Sequence, residues 1–205
     1  MEHEKMNLDD RIFRFIYIEA MRDAVIQLAY KGEKRWLMDS CMLNSLKGEI
    51  ESLINKVLNN EYLSQDKYDE DFLSTAINVC RCINDKAKND KFTFGNAQKL
   101  INIMLKYFYI SSYKDDRLKE NFKYCHCPMD QQLLNHIWRN RANLDNDITI
   151  GRREYFLKSW GNEDFEKDAN GIIVYPARYV LFQEIVRRFA SKENLKPLEY
   201  DYYVW

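Results

Sequence analysis

One stretch of the sequence combines a lysine that could act as a nucleophile with a carboxylate that could stabilise positive charge. Lys106 lies between Leu105 and Tyr107, so we expect the stem of its side chain to be partly buried. A poorly hydrated amine has a lowered pKa, and its neutral form is a nucleophile. Asp130 falls in the first turn of a predicted helix, where the helix dipole and free N–H groups keep a carboxylate ionised. Such a carboxylate can stabilise positive charge that develops on a sugar, or orient a water molecule.

Both features also have simpler structural interpretations. Successive residues of a helix advance by about 100°, so Lys99, Asn102 and Lys106 share one stripe, with Gln98 near its edge. A stripe of this kind is usually the solvated face of an amphipathic helix. An isolated aspartate at the start of a helix, such as Asp130, is more often a cap than a catalytic group. The residues alone leave both interpretations open.

The two features together resemble the helix-hairpin-helix superfamily of DNA glycosylases, and most closely its archaeal 8-oxoguanine branch. In that branch a Gln-Lys pair is followed by a lysine eight residues after the Gln, and Gln98, Lys99 and Lys106 match this spacing. The superfamily also has a Pro-hydrophobic-Asp element, which Pro128-Met129-Asp130 matches. The resemblance is limited to residues 94–130.

The resemblance implies a role for each matched residue. Lys106 would be the Schiff-base nucleophile, and Asp130 would be the catalytic carboxylate. Backbone N–H groups at the start of a helix bind phosphate, and the hairpin turn that grips DNA would match the start of this helix. The residues predicted to contact DNA are Gly95, Asn96, Gln98 and Lys99.

The implied activity is excision of a damaged or modified base from double-stranded DNA. The target nucleotide is flipped out of the duplex into a pocket, where its N-glycosidic bond is broken. If Lys106 attacks C1′, the resulting imine can cleave the strand by β-elimination. If Lys106 is structural, Asp130 activates water and an intact abasic site remains. The sequence leaves open both versions and the base, for which a damaged purine and a phage-type modified base are the candidates.

A non-enzymatic function is the alternative. The C-terminal segment 197–205 is acidic and aromatic, and we expect it to pack against the body of the protein. As a docking surface, this segment would suit a helical binding or regulatory protein of bacterial or phage origin, such as a phage–host interaction or defence factor. Geometry discriminates between the two functions. A glycosylase requires the Lys106 amine and the Asp130 carboxylate to face one cleft lined by aromatic side chains.

Charge limits where nucleic acid could bind. The formal net charge is −1, so binding would need a local basic patch that neutralises phosphates. Trp36, Trp138 and Trp160 could stack on a base, although packing in the core explains them equally well. Two basic clusters could contact phosphate or form an ordinary solvated surface. They are Arg139, Arg141, Arg152 and Arg153 in one cluster, and Arg178, Arg187, Arg188 and Lys192 in the other.

The cysteines and the N-terminus indicate the compartment. Five cysteines fit neither a disulfide framework nor a zinc pair, so we expect reduced thiols and a cytoplasmic protein. The consecutive residues Cys125-His126-Cys127 cannot all bind one metal with tetrahedral geometry, and we expect no metal and no cofactor. Residues 1–10 are charged and do not form a signal peptide. No apolar run approaches the roughly 20 residues of a membrane span, and the expected state is a monomer.

Scarce helix breakers predict the fold. Only 6 Gly and 3 Pro interrupt 205 residues, which favours long helices. We therefore predict a compact, all-α, multi-helix single domain over residues 1–205, with a glycosylase-like core around 92–140. Pro128 is predicted at the first position of its helix, and residues 172–174 as a short extended piece. Helices are predicted at 8–30, 34–58, 68–87, 95–110, 115–122, 128–140, 152–160 and 176–192.

Overall fold

The computed structural model describes residues 10–26, 37, 39–86, 92–112 and 114–204. This part of the chain is mainly α-helical with one small two-stranded sheet, which confirms the predicted all-α class. One cluster of buried apolar side chains extends from the first helix to the last. The outer ends of the predicted helix 8–30 and Trp36 lie outside the described residues. No helix in the described ranges is both long and apolar enough to cross a membrane.

Three helices form the first half of the fold. Helix α1 (Asp10–Met21) continues into a π-helical turn, Arg22–Ile26, and α2 (Ser40–Leu58) packs against α3 (Gln65–Asn84). Within the predicted second helix, α2 begins at Ser40 because Asp39 caps it, accepting a hydrogen bond from the Met42 N–H (2.8 Å); residues 34–36 lie outside the described residues.

The next helix, α4 (Phe94–Ser111), lies at the centre and contacts both α1 and α3. Thr93 caps it by accepting from the Asn96 N–H (3.3 Å). Gln98 and Asn102 are fully buried, so the stripe that also contains the two lysines is not the solvated face of an amphipathic helix. The helix is enclosed on most sides, and its polar residues therefore need partners inside the protein.

In the second half of the fold, the bounds of two helices differ from the predicted ones. After the short α5 (Asp116–Glu120), α6 is Gln131–Arg139, so Pro128 precedes the helix instead of opening it. The predicted helix 152–160 is reduced to α7 (Arg153–Phe156). It ends early because the buried Arg178 guanidinium donates to backbone carbonyls between residues 155 and 159, in place of helical N–H groups.

The C-terminal part returns to the body of the protein. Strands β1 (Glu166–Lys167) and β2 (Ile173–Val174) pair antiparallel, which places an extended piece where one was predicted. Helix α8 (Ala177–Lys192) follows, and α9 (Pro197–Val204) packs against α8 and α6. The prediction that the tail packs back is confirmed.

Candidate active site

A cavity of about 320 Å³ lies where α4, the start of α6 and α9 meet. Ligand pockets start at about 300 Å³, so this cavity can hold one small planar group. Its lining includes the predicted Lys106 and Asp130 together with two aromatic residues, Tyr107 and Trp160. Lys99 lines it too. The structure thus brings the two predicted residues, Lys106 and Asp130, to one cavity.

Asp130 caps a helix and also lines the cavity. It is the N-cap of α6, and its Oδ1 accepts a hydrogen bond from the Leu133 N–H (2.9 Å). It also lines the cavity, with 8% of its surface exposed. Among the described residues no hydrogen bond occupies Oδ2, which leaves this oxygen for a ligand.

Gln98 positions the segment that contains Asp130. Its Oε1 accepts from the Met129 N–H (3.0 Å), and its Nε2 donates to the Met129 carbonyl (3.0 Å), so the side-chain amide pairs with the backbone as a neighbouring strand would. Gln98 is 0% exposed, and this burial leaves no surface for the predicted DNA contact. Its role is to fix the residue before Asp130 against α4.

Lys99, the other lysine that lines the cavity, is partly buried. Burial lowers the pKa of its amine. The negative charge of Asp130 raises this pKa and is the strongest charge effect on it. Its Nζ lies 4.5 Å from the centroid of the Trp160 ring. A lowered pKa increases the fraction of neutral amine at neutral pH.

Lys106 is fixed by a residue that sequence reasoning missed. Its Nζ forms a short ion pair with Asp201 of α9, whose side chain is 2% exposed, and it lies 4.6 Å from the Tyr202 ring centroid. Asp201 also lines the cavity. The two partners are 95 residues apart in sequence. The acidic, aromatic character of the tail was the only sequence indication of this contact.

The start of α4 packs tightly against the turn that contains Trp160. The Gly95 N–H donates to the Glu163 carbonyl (2.9 Å), and a Cβ at Gly95 would lie 1.8 Å from the Trp160 carbonyl oxygen. The partly buried Asn96 donates its N–H to the Thr93 hydroxyl. The structure thus gives both N–H groups partners inside the protein in place of the predicted phosphate. Gly95 instead allows the close approach that places Trp160 at the cavity.

The second basic cluster does not form a phosphate surface. Arg178 is buried and pairs with Glu163 (2.5 Å), and Arg188 contacts Asp147 (2.7 Å) and two further carboxylates. The remaining members are also paired, Arg187 with Asp69 and Lys192 with Asp145. These carboxylates neutralise the cluster, whereas Arg139, Arg141, Arg152 and Arg153 of the first cluster are exposed.

The Cys-His-Cys segment belongs to a buried hydrogen-bond network. His126 is 2% exposed, with Nε2 2.8 Å from Asp69 Oδ1 and Nδ1 2.9 Å from the Tyr179 hydroxyl. Because the carboxylate only accepts, Nε2 holds the proton and the Tyr179 hydroxyl donates to Nδ1. Tyr179 in turn accepts from Asn102 (3.1 Å), which donates to Gln98 (3.2 Å). The described residues contain no group of three His, Cys, Asp or Glu side chains arranged to hold a metal ion.

Comparison with known proteins found no match: no protein-family model fits the chain, and no curated protein or solved structure is detectably similar to it. The resemblance to helix-hairpin-helix glycosylases therefore rests on residues 94–130 alone.

Proposed function

We propose that the protein is a DNA glycosylase that removes a damaged or modified base from a nucleotide flipped into the cavity. The observation that supports this most directly is that Asp130, Lys99 and Lys106 line one cavity together with Trp160 and Tyr107. An extrahelical base needs an aromatic pocket, and cleavage of its glycosidic bond needs a fixed negative charge near C1′. This cavity contains both.

Asp130 supplies the charge for bond cleavage. As the C1′–N bond breaks, its electron pair leaves on the base, which takes up a proton, and positive charge develops on the sugar. The carboxylate is held in place by its bond to the Leu133 N–H and by the Gln98 clamp on Met129, so it needs little reorganisation as the charge appears. In the version with a lysine nucleophile, the neutral amine forms a new bond to C1′ and loses a proton. Opening of the sugar ring then gives an imine.

The geometry favours Lys99 over Lys106 as the nucleophile. The sequence resemblance points to Lys106, but its amine is fixed as a donor to Asp201. The pKa of Lys99 is lowered by burial, and Asp130 is the charge that acts on it most strongly. A lysine whose pKa is lowered, and on which the catalytic carboxylate acts, is the better candidate for the nucleophile. In this assignment, Lys106 and Asp201 line the cavity as an ion pair.

Borohydride trapping tests the proposal on a panel of duplexes that contain different damaged or modified bases. Asp130→Asn is the key variant, because Asn caps helices about as well as Asp and only the charge is lost. We expect it to slow excision by at least about 100-fold with an unchanged thermal midpoint. Lys99→Gln should abolish the covalent adduct, whereas Lys106→Gln should retain it.

Each other outcome has a defined meaning. An adduct lost only in Lys106→Gln would return the nucleophile to the residue that the sequence resemblance indicates. Alkali-labile abasic sites without an adduct, lost in Asp130→Asn, would mean that water is the nucleophile. Excision that is unchanged in Asp130→Asn, or absent on every duplex in the panel, would contradict the proposal.

The alternative, binding of a partner through the C-terminal tail, has less structural support. Tyr200 and Asp201 are 3% and 1% exposed, so part of the acidic, aromatic segment is already buried against the protein. The tail builds one wall of the cavity through the Asp201 carboxylate. Tyr202 and Tyr203 remain exposed, but two exposed rings do not form the large apolar patch that marks a partner site.

A further inference from the structure

One basic cluster on the described surface has no acidic partners. Arg139, Arg141, Arg152 and Arg153 are exposed, and within the described ranges none of them forms an ion pair. Arg188, by contrast, contacts three carboxylates. A guanidinium without a carboxylate is well suited to phosphate, which it can bind through two parallel hydrogen bonds.

These arginines lie on a strip that leads to the cavity. The Trp138 ring packs on Phe156 with centroids 6.4 Å apart, and Gln131 Nε2 donates to the Leu157 carbonyl (3.4 Å). Phe156 and Leu157 therefore lie against α6. Gln131 at the start of α6 and Trp160 after α7 both line the cavity. At 1.5 Å per residue, the nine residues of α6 span about 13 Å between the two ends.

The strip is preformed. The buried Arg178 donates to the carbonyls of Lys158 (2.6 Å) and Ser159 (3.4 Å), which fixes the segment between α7 and the cavity. Arg141 stacks on the Trp138 ring at 4.5 Å and donates to the Trp138 carbonyl (2.7 Å). An ordered cationic surface loses little side-chain entropy when it binds an anion.

We infer that Arg139, Arg141, Arg152 and Arg153, the α6–α7 arginine surface, dock the phosphate backbone of the duplex whose flipped nucleotide enters the cavity. This inference rests on the proposed glycosylase function and replaces the predicted backbone contact at Gly95, whose N–H is occupied. A strip of about 13 Å matches roughly four nucleotide steps at 3.4 Å each along one strand. The surface therefore binds phosphates within a few nucleotides of the flipped base.

The test measures the affinity of the full chain for a short undamaged duplex by fluorescence anisotropy over a range of salt concentrations. Arg152→Gln/Arg153→Gln should weaken binding at least about fivefold and reduce the slope of log affinity against log salt by about 2, since each lost phosphate contact contributes about 0.9. Lys67→Gln/Lys123→Gln removes the same charge from exposed positions elsewhere and should change neither quantity comparably.

Three outcomes would overturn the inference: equal weakening by both double variants, no change with the arginine variant, or equally tight, equally arginine-dependent binding of single-stranded RNA. The Asp130→Asn variant separates this failure from failure of the proposed function. It should bind the duplex like the parent protein and lose only excision. If Arg152→Gln/Arg153→Gln retains both excision and normal duplex binding, the arginine surface does not dock DNA, whereas the glycosylase proposal still stands.

Discussion

At the residue scale, the two cavity lysines show that spacing cannot assign their roles. Lys99 and Lys106 share one stripe of α4, yet their surroundings differ. Lys106 forms an ion pair with a carboxylate of α9. Lys99 instead lies over the Trp160 ring, and the charge of Asp130 acts on its pKa. A pattern on one helix predicts which side chains face the same way. It does not predict which element covers each of them.

Gln98 gives a test of positioning at this scale. Replacing it with Met keeps the volume but leaves the Met129 N–H and carbonyl without partners in a buried site. We expect the free energy of unfolding to fall by about 2–4 kcal/mol, since each unsatisfied buried group costs about 1–3 kcal/mol. Excision should fall as well, because the segment before Asp130 is no longer fixed. Urea denaturation and excision rates measure the two effects.

The variant Gln98→Glu is a useful companion to Gln98→Met. It retains an acceptor for the Met129 N–H but loses the donor to the Met129 carbonyl. If Gln98→Met were as stable and as active as the parent protein, the amide pairing would not be what positions Asp130.

At the scale of elements, the sequence predicts which helices exist better than where they end. Apolar periodicity correctly indicates α4 and α8, because a buried stripe must repeat with the helix. Their neighbours are limited by particular side chains. Asp130 caps α6 and moves its start beyond Pro128. The Arg178 guanidinium donates to carbonyls in α7 and just after it from 19 to 23 residues away in sequence, and no local pattern contains these contacts.

The candidate site likewise contains some residues that the sequence predicts and others that it does not. Lys99, Lys106 and Asp130 could be predicted because they belong to two short motifs on adjoining elements. Trp160 and Asp201 complete the cavity, but they arrive through the packing of a turn and of α9 against α4. Such long-range contacts depend on shape and burial, which a single sequence does not display.

Gly95 tests how closely the Trp160 turn must approach α4. In Gly95→Ala, the new Cβ would meet the Trp160 carbonyl oxygen at 1.8 Å, so one backbone must move. We expect a loss of about 1–3 kcal/mol in the free energy of unfolding, typical of overpacking, and weaker excision because Trp160 shifts. Thermal and urea denaturation measure the first effect.

Gly48→Ala is the matched control on α2. Its Cβ would meet nothing within 4 Å, and alanine is favoured over glycine inside a helix. It should stabilise the protein by about 0.5–1 kcal/mol and leave excision unchanged. If Gly95→Ala were as stable as the parent protein, the Trp160 turn could move away from α4 without lowering the free energy of unfolding.

At the scale of the whole molecule, one buried network links α3, α4, α8 and the segment before α6. It passes from Asp69 through His126, Tyr179 and Asn102 to Gln98. Its members were not predicted as a group, because only the fold brings them together. The network joins the packing of three helices to the clamp that positions Asp130.

This network predicts acid sensitivity. Burial lowers the pKa of His126; the hydrogen bond to Asp69 opposes this shift, and the charge of Arg187 adds to it. The unfolded chain therefore binds a proton at His126 that the folded chain does not, and stability must fall as pH decreases below the unfolded value of about 6.5. Urea midpoints between pH 7 and 5.5 should decrease, and the decrease should be smaller in His126→Gln. An equal pH dependence in both proteins would assign the effect to other groups, such as His136.

The ion pair between Lys106 and Asp201 joins the C-terminal helix to the central one, and a double-mutant cycle measures that link. Lys106→Met leaves the Asp201 carboxylate buried without this partner and should cost about 3–5 kcal/mol. Asp201→Leu should cost less, because Lys106 is 21% exposed and its amine can reach solvent. The double variant should be more stable than the sum of the two losses implies, with a coupling of about 1–3 kcal/mol. Additive losses would mean that α9 is held by its other contacts. The cavity wall would then form without the pair, and Lys106 would again be available as the nucleophile.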